Sequence, residues 1–512
     1  MSDCKSVCLG ILLVYGLVVP AWVANAADPK VSDVVTTDML APKGAYYQAT
    51  VPDTLDLAER ARLAVHGLTA FLDHENNYAP WGHFALDSPT PALIDRPGGP
   101  PNWGKIVEAT VKTRIMSGSA EGLDNQLRSA RGMIDYLAPE TVPNHGFVPH
   151  ARALLAVTMI YQFNPTPALR DLILSYGEGF KKAIKNEGGV FYFRKAAEER
   201  PPTYYSSSQY VNGTSARALT IWGLLDHDRS YVDLAARVTR SLRSDPRLWK
   251  AAVEPKAVVG SDRGHFRGHM HGVVSGLMGM IYAAEATRDA QLMEFVRGAY
   301  EFQRNVGIAR VGLLGEGCTV GDMTQTAIKL SEAERGWRGR LLGGRGLLRP
   351  QSTDRITAHQ LEAAASGHEH LGGTYEDDVF PLKKFPARDT TNVIEKVIGT
   401  YTDDATHLTK TPQLSLVSTI CGPGNITAGI YLAWEAIVRC KDGNAQINLL
   451  LNRASPWLDI DSYLPYEGKV VIHNKIARRL AVRIPLWADR EAVRATIGAA
   501  PASFYWLNNY IV

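Results

Sequence analysis

The chain has 512 residues, too many for one ordinary hydrophobic core, so two domains are expected. Apolar residues make up 45% and charged residues 21%, the composition of a soluble globular protein. The formal charge is only +3 with Lys and Arg scattered, so no basic stripe points to nucleic acid.

Residues 1–26 read as a signal peptide. Lys5 precedes an apolar run from Val7 to Val23, and Ala24-Asn25-Ala26 places small residues where a signal peptidase reads. Gly16 and Pro20 break the run, and no later stretch is apolar enough to cross a bilayer. A secreted or periplasmic product is expected. Cleavage would remove Cys4 and Cys8, leaving Cys318, Cys421 and Cys440, too few for a disulfide-stapled scaffold.

From Asp28 to Tyr47 the chain is polar and irregular, as in a surface arm. Thr54–Asn76 then carries apolar residues at helical spacing behind Thr54 or Asp56 as a cap. Tyr78–Asn102 reads as a long Pro- and Gly-rich loop carrying Trp81, and such loops are usually functional or pinned by their aromatic rings. Apolar stripes at helical period follow over 105–117, 120–137, 151–163, 166–186, 213–225, 230–244, 269–287, 290–306, 319–333 and 425–438. This rhythm predicts a mainly α fold, an (α/α) toroid of paired antiparallel helices over residues 27–442. Glu334–Arg349, and the stretch on to Asp389, lack a period and read as a poorly ordered insertion. At about Gly443 the period becomes alternating. Ala445–Leu451, Trp457–Ser462, Gly468–His473 and Leu480–Ile484 read as strands of a β-sandwich domain over 443–512. About seventy residues are few for two sheets, so the domain is either small or incomplete.

Two stretches carry candidate chemistry. Gly315-Glu316-Gly317-Cys318-Thr319-Val320-Gly321-Asp322 places a carboxylate and a thiol one residue apart between glycines. Ser418-Thr419-Ile420-Cys421-Gly422-Pro423-Gly424-Asn425 brings a second thiol on a Gly-Pro-Gly turn. Glu316, Cys318 and Cys421 together could hold one metal ion, most simply zinc. The same cysteines could also be small buried residues under helix caps, or a disulfide.

These motifs, with Tyr431-Leu432-Ala433-Trp434-Glu435, Gly268-His269-Met270-His271, Ile447-Asn448-Leu449 and Val482-Arg483-Ile484-Pro485-Leu486-Trp487, resemble the β-L-arabinofuranosidase-like glycoside hydrolases of family 127 over roughly residues 100–490. The resemblance implies a helical toroid holding zinc through one glutamate and three cysteines, one of them the glycosidic nucleophile. Carried over, Glu316 and Cys318 match the glutamate–x–cysteine pair. Cys421 falls where the family has adjacent cysteines, but Ile420 and Gly422 flank it here, so one thiol is missing. The family's acid/base glutamate falls at Tyr300, with Glu301 beside it.

A glycosidase needs a proton donor and a nucleophile or activated water. Cys421 is the candidate nucleophile, because a metal deprotonates a thiol and fixes its direction. Glu301 and Asp322 are candidate acids, although Glu301 also reads as ordinary helix surface and Asp322 as a cap. His269 and His271 are candidate substrate-binding residues, as are Trp81 and Tyr205, whose rings could stack on a sugar. The expected function is an exported glycoside hydrolase acting on arabinofuranose-containing or related plant-type glycans, with a carbohydrate substrate and zinc. Two further readings stay open: a degenerate glycan-binding protein on the same fold, or a polysaccharide lyase or unsaturated uronyl hydrolase.

Overall fold

A computed structural model describes residues 30–43, 54–85, 91–94, 102–144, 146–193, 208–245, 248–249, 270–306, 317–341, 388–401, 416–418 and 422–512. The expected signal peptide, 1–26, lies outside them. The helices are α1 (Thr37–Leu40), α2 (Leu57–Ala70), α3 (Trp103–Ser117), α4 (Leu123–Tyr136), α5 (Phe147–Phe163), α6 (Pro167–Ala183), α7 (Ser208–Leu225), α8 (Arg229–Ser244), α9 (Met270–Thr287), α10 (Ala290–Val306), α11 (Gly317–Leu341), α12 (Val393–Val397) and α13 (Gly422–Ile437). Local chemistry sets several of their starts. Asp56, Thr166 and Asp228 each accept a backbone N–H of the first turn of α2, α6 and α8, and Pro167 opens α6 with its φ already helical.

Six helices close a ring. α3 packs on α5, α5 on α7, α7 on α9, α9 on α11, α11 on α13, and α13 returns to α3. The remaining long helices form an outer layer: α2 and α4 against α3, α6 against α5, α8 against α7 and α9, and α10 against α9 and α11. The two layers differ in chemistry for a simple reason. An outer helix has one dry face: in α8 Tyr231, Val232, Ala235, Ala236, Val238, Thr239 and Leu242 are buried and the rest meet water. Burying each large apolar side chain of that stripe contributes roughly 1.5–3 kcal/mol. An inner helix is covered all round, and nearly all of α3 is buried, Lys105, Lys112 and Arg114 included.

Close spacing of the inner helices depends on glycine. A Cβ at Gly321 of α11 would lie 2.3 Å from the Asn425 carbonyl oxygen of α13, and one at Gly279 of α9 would lie 2.2 Å from the Gly213 oxygen of α7. The toroid expected from the sequence is therefore present, with its boundaries mostly within a turn of those predicted.

The strands are β1 (Leu72–Asp73), β2 (Ala79–Pro80), β3 (His83–Ala85), β4 (Ala92–Ile94), β5 (Lys185–Glu187), β6 (Val190–Tyr192), β7 (Arg388–Asp389), β8 (Leu416–Ser418), β9 (Val438–Lys441), β10 (Asn444–Ile447), β11 (Leu458–Ser462), β12 (Val470–Asn474), β13 (Arg479–Arg483), β14 (Thr496–Ile497), β15 (Ala500–Pro501), β16 (Trp506–Leu507) and β17 (Tyr510–Ile511). After α13 the chain builds a five-stranded sheet of order β16-β17-β13-β10-β9 and a β11–β12 hairpin. Asn448 ties this sheet to the ring, its backbone N–H donating to Ile437 O at 2.8 Å and its side chain to Ala436 O at 2.7 Å.

Three expectations are corrected. The segment 78–102 is not one structureless loop: β3 and β4 join β7 and β8 in a four-stranded antiparallel sheet. The N-terminal arm is anchored, with Val35 and Leu40 buried in the core and Arg131 donating to the Val35 carbonyl. The first part of 334–349 continues α11 to Leu341, while 342–387 lie outside the described residues.

Gly321→Ala is expected to lower stability by about 1–3 kcal/mol, because a methyl group there forces α11 from the α13 backbone. Gly468→Ala, where a Cβ meets nothing within 4 Å, is the matched control and should leave the urea midpoint unchanged.

Candidate functional site

The inner helices run parallel, so their first turns meet at one end of the ring. There Lys105 of α3, Arg152 of α5, Tyr210 of α7, His271 of α9, Asp322 of α11 and Asn425 of α13 form one buried cluster. His271 is its hub. Its Nδ1 lies 2.5 Å from Asp322 Oδ2. Its Nε2 lies 3.1 Å from Lys105 Nζ and 3.5 Å from Arg152 Nη2. The tautomer follows from these partners: a carboxylate only accepts and an ammonium only donates. Nδ1 therefore carries the hydrogen toward Asp322, and Nε2 accepts from Lys105, so the imidazole is neutral. Asn425 Nδ2, 3.1 Å from that donor nitrogen, instead donates to Asp322 Oδ2 at 3.4 Å. The ring of Tyr210 meets His271 edge-on at 5.1 Å, and the Arg152 guanidinium lies 5.0 Å from the Tyr210 centroid.

A second group of charges lies deeper on the same axis. Glu108 and Lys112 of α3 pair with each other, and Lys112 faces the Tyr431 ring of α13 at 5.7 Å. Burial pushes the Glu108 carboxyl up. The nearby cations Lys112, Arg217 and Arg152 outweigh that and hold its pKa below the ordinary value.

Some buried polar atoms at this end have no protein partner. Among the described residues these include Thr319 Oγ1 in the first turn of α11 and Asn102 Nδ2 just before α3. Such a group left dry costs about 1–3 kcal/mol.

The residues singled out from the sequence fall as follows. His271 and Asp322, expected separately as a substrate-binding group and an acid, are in direct contact. Glu301 is on the outer helix α10, with its carboxylate 2.8 Å from Arg304. Trp81 is 5% exposed and belongs to the hydrophobic core. His269, Tyr205, Glu316 and Cys421 lie outside the described residues, and Cys318 is in α11 with its side chain likewise outside them. Glu316 immediately precedes α11, Cys421 precedes α13 and His269 precedes α9, the three helices that supply Asp322, Asn425 and His271. Among the described residues no three His, Cys, Asp or Glu side chains are grouped to hold a metal ion.

Sequence reasoning missed Lys105, Glu108, Lys112 and Arg152. The signal was present: Lys105, Glu108 and Lys112 recur at i, i+3 and i+7 along one face of α3. On an outer helix that stripe would meet water; on an inner one it faces the ring axis.

No protein-family model matches the sequence, and no curated protein matches it. Among solved structures the chain is similar to one described as a glycoside hydrolase, with TM-score 0.51 and 11% identity, covering 87% of this chain and 77% of that one. It is also similar to a family 127 β-L-arabinofuranosidase from Geobacillus stearothermophilus T6, with TM-score 0.47 and 11% identity over 90% of this chain and 74% of that one. A third is the unsaturated glucuronyl hydrolase of Bacillus sp. GL1, with TM-score 0.45 and 12% identity over 73% and 96%. At such identities the likeness gives the fold: an (α/α) toroid with a small C-terminal sheet region, as found in glycoside hydrolases.

Because the folded pKa of Glu108 is depressed, its ionised form stabilises the fold fully above pH about 4.5. That contribution is lost as pH falls through the lower folded value. The stability gap between wild type and Glu108→Gln, measured by urea unfolding, should therefore be largest near neutrality and shrink below pH about 4.5.

Proposed function

We propose that this chain is an exported glycoside hydrolase whose catalytic centre lies where the first turns of the six inner helices meet. The observation that carries this reading is the buried Asp322–His271–Lys105 chain, with Asn425 and Arg152 beside it. The fold likeness to a glycoside hydrolase supports it, and so do the glutamate–x–cysteine and Cys-Gly-Pro-Gly-Asn motifs. The substrates proposed are arabinofuranose-containing or related plant-type glycans.

The donor set also fits a zinc ion. Gly321 of α11 meets the Asn425 backbone of α13, and these positions follow Cys318 by three residues and Cys421 by four. In sequence, Glu316 and Cys318 stand beside the start of α11 and Cys421 beside that of α13. Zinc bound there would keep sulfur as thiolate at neutral pH.

The protein groups divide the remaining work. Cys421 is the proposed nucleophile. Asp322 holds the proton on His271 Nδ1 and, with Asn425 donating to it, fixes the ring. Lys105, which donates to His271, orients substrate oxygens together with Arg152. The Tyr210 ring shields the pair from water. Asp322, ionised and accepting from His271, acts on proton transfer through that imidazole, while Glu301 on the outer layer pairs with Arg304.

Metal analysis of the purified protein should find zinc in wild type and much less in Cys318→Ala. On aryl glycosides, Asp322→Asn should lose about 100-fold or more in kcat, as expected for loss of a group that acts on proton transfer. Equal hydrolysis by wild type and Cys421→Ser would remove Cys421 as nucleophile. Glycan binding without hydrolysis in wild type would favour the degenerate binder, which the single thiol at 421 also suggests.

A further inference from the structure

A second histidine is held at both ring nitrogens, and by partners of one kind only. His66 of α2 has its Nδ1 2.5 Å from Glu121 Oε1, in the turn between α3 and α4. Its Nε2 lies 2.7 Å from the backbone carbonyl oxygen of Glu395 in α12. A carboxylate and a carbonyl both accept and neither donates. Both nitrogens therefore carry hydrogen in this arrangement, and the ring is an imidazolium, unlike the neutral His271.

The contact fastens one segment to the ring. Residues 388–401 lie along α2 with Val393, Val397 and Tyr401 buried. They sit close: a Cβ at Gly399, where φ is +81°, would lie 2.0 Å from the Leu63 carbonyl oxygen of α2. At the other end of the segment β7 pairs with β4, β4 with β3 and β3 with β8, which ends four residues before α13 begins. Lys396 does not tie α12 to α2, since it pairs with Asp389 of the same segment at 2.5 Å.

The other charges around His66 are engaged or turned to water. Arg62 and Glu59, one and two turns back on α2, are exposed, as is the Glu395 side chain. On α4 Asp124 is taken by Arg128, on α3 Arg114 donates to Gln126 and Ser119 O, and on α13 Glu435 accepts from Tyr431. Glu121 is thus the carboxylate that the imidazolium meets. Burial alone lowers the His66 pKa, but the Glu121 carboxylate and the Glu395 carbonyl outweigh it and hold the group above its ordinary 6.5.

We infer that His66 is a pH-operated latch: as an imidazolium it clips α12 and the Glu121 turn to α2, and loss of one proton unclips α12. The remaining hydrogen stays on Nδ1, because a carboxylate is the stronger acceptor. Nε2 then turns a lone pair on the Glu395 carbonyl, and the two repel. A raised folded pKa gives stabilisation that is complete below the ordinary value and is lost as pH rises through the folded one. The segment is therefore held in acid and loosened in mild alkali. The inference does not depend on the glycosidase reading.

Two measurements on the full chain test it. With histidine-selective ¹³C labelling, the resonance absent from His66→Gln identifies this ring among the 14 histidines. It should titrate above 6.5, and about one unit or more lower in Glu121→Gln. Hydrogen exchange read by mass spectrometry, corrected for the intrinsic rate, should show 393–401 losing protection as pH rises, by about tenfold for each unit by which the His66 pKa is raised. Amides of α7 should keep theirs, and in His66→Gln the exchange of 393–401 should not depend on pH. If His66→Gln does not fold, Glu121→Gln, altered at a half-exposed carboxylate, decides the matter by moving the loss of protection to lower pH. A ring titrating at or below 6.5, protection of 393–401 that ignores pH in wild type, or the same pH dependence in His66→Gln overturns the inference.

Discussion

The architecture depends on how closely α13 can approach α11 and α3, because that contact closes the ring. At Gly321 the backbones of α11 and α13 meet with no room for a Cβ, and at Gly424 a Cβ would lie 2.5 Å from Lys105 of α3. Glycine at these positions costs helix stability of roughly 0.5–1 kcal/mol each. The gain is that three helix starts reach one point, and that point is where Asp322, Asn425 and Lys105 surround His271.

Closure also explains why so much charge can be buried without an aqueous face. Inside the ring each cation or acid is set against others contributed by different helices. Glu108 is ionised among Lys112, Arg217 and Arg152, and His271 is neutral between Asp322 and Lys105. Each group would be costly to bury alone. Together they make a polar axis through an otherwise apolar protein. Networks of this kind hold side chains in one geometry, which is what a reaction centre requires.

The two ends of that axis differ in chemistry. The end at the helix starts presents a neutral imidazole, a carboxylate and amide and hydroxyl groups, suited to recognising hydroxyls and moving a proton. Toward the sheet, the Arg453 guanidinium lies over the Trp434 ring of α13. Asn452, Arg453 and Lys475, from the segments between the C-terminal strands, line part of a cavity there.

Local pattern in the sequence determined the order of the long helices, most of their ends and the switch to strands near residue 440. Helical and alternating periods, caps such as Asp56 and Thr166, and turn residues act over a few positions and are visible there. It also singled out His271 and Asp322 as candidates, though not as partners. Only tertiary closure decided which helices were inner, and hence that the Lys105–Glu108–Lys112 stripe faces the axis rather than water. The same closure gave Trp81 to the core and left Glu301 on the outer layer. A charged stripe has the same spacing on either kind of helix; whether it meets solvent or other charges depends on neighbours hundreds of residues away, which no local period records.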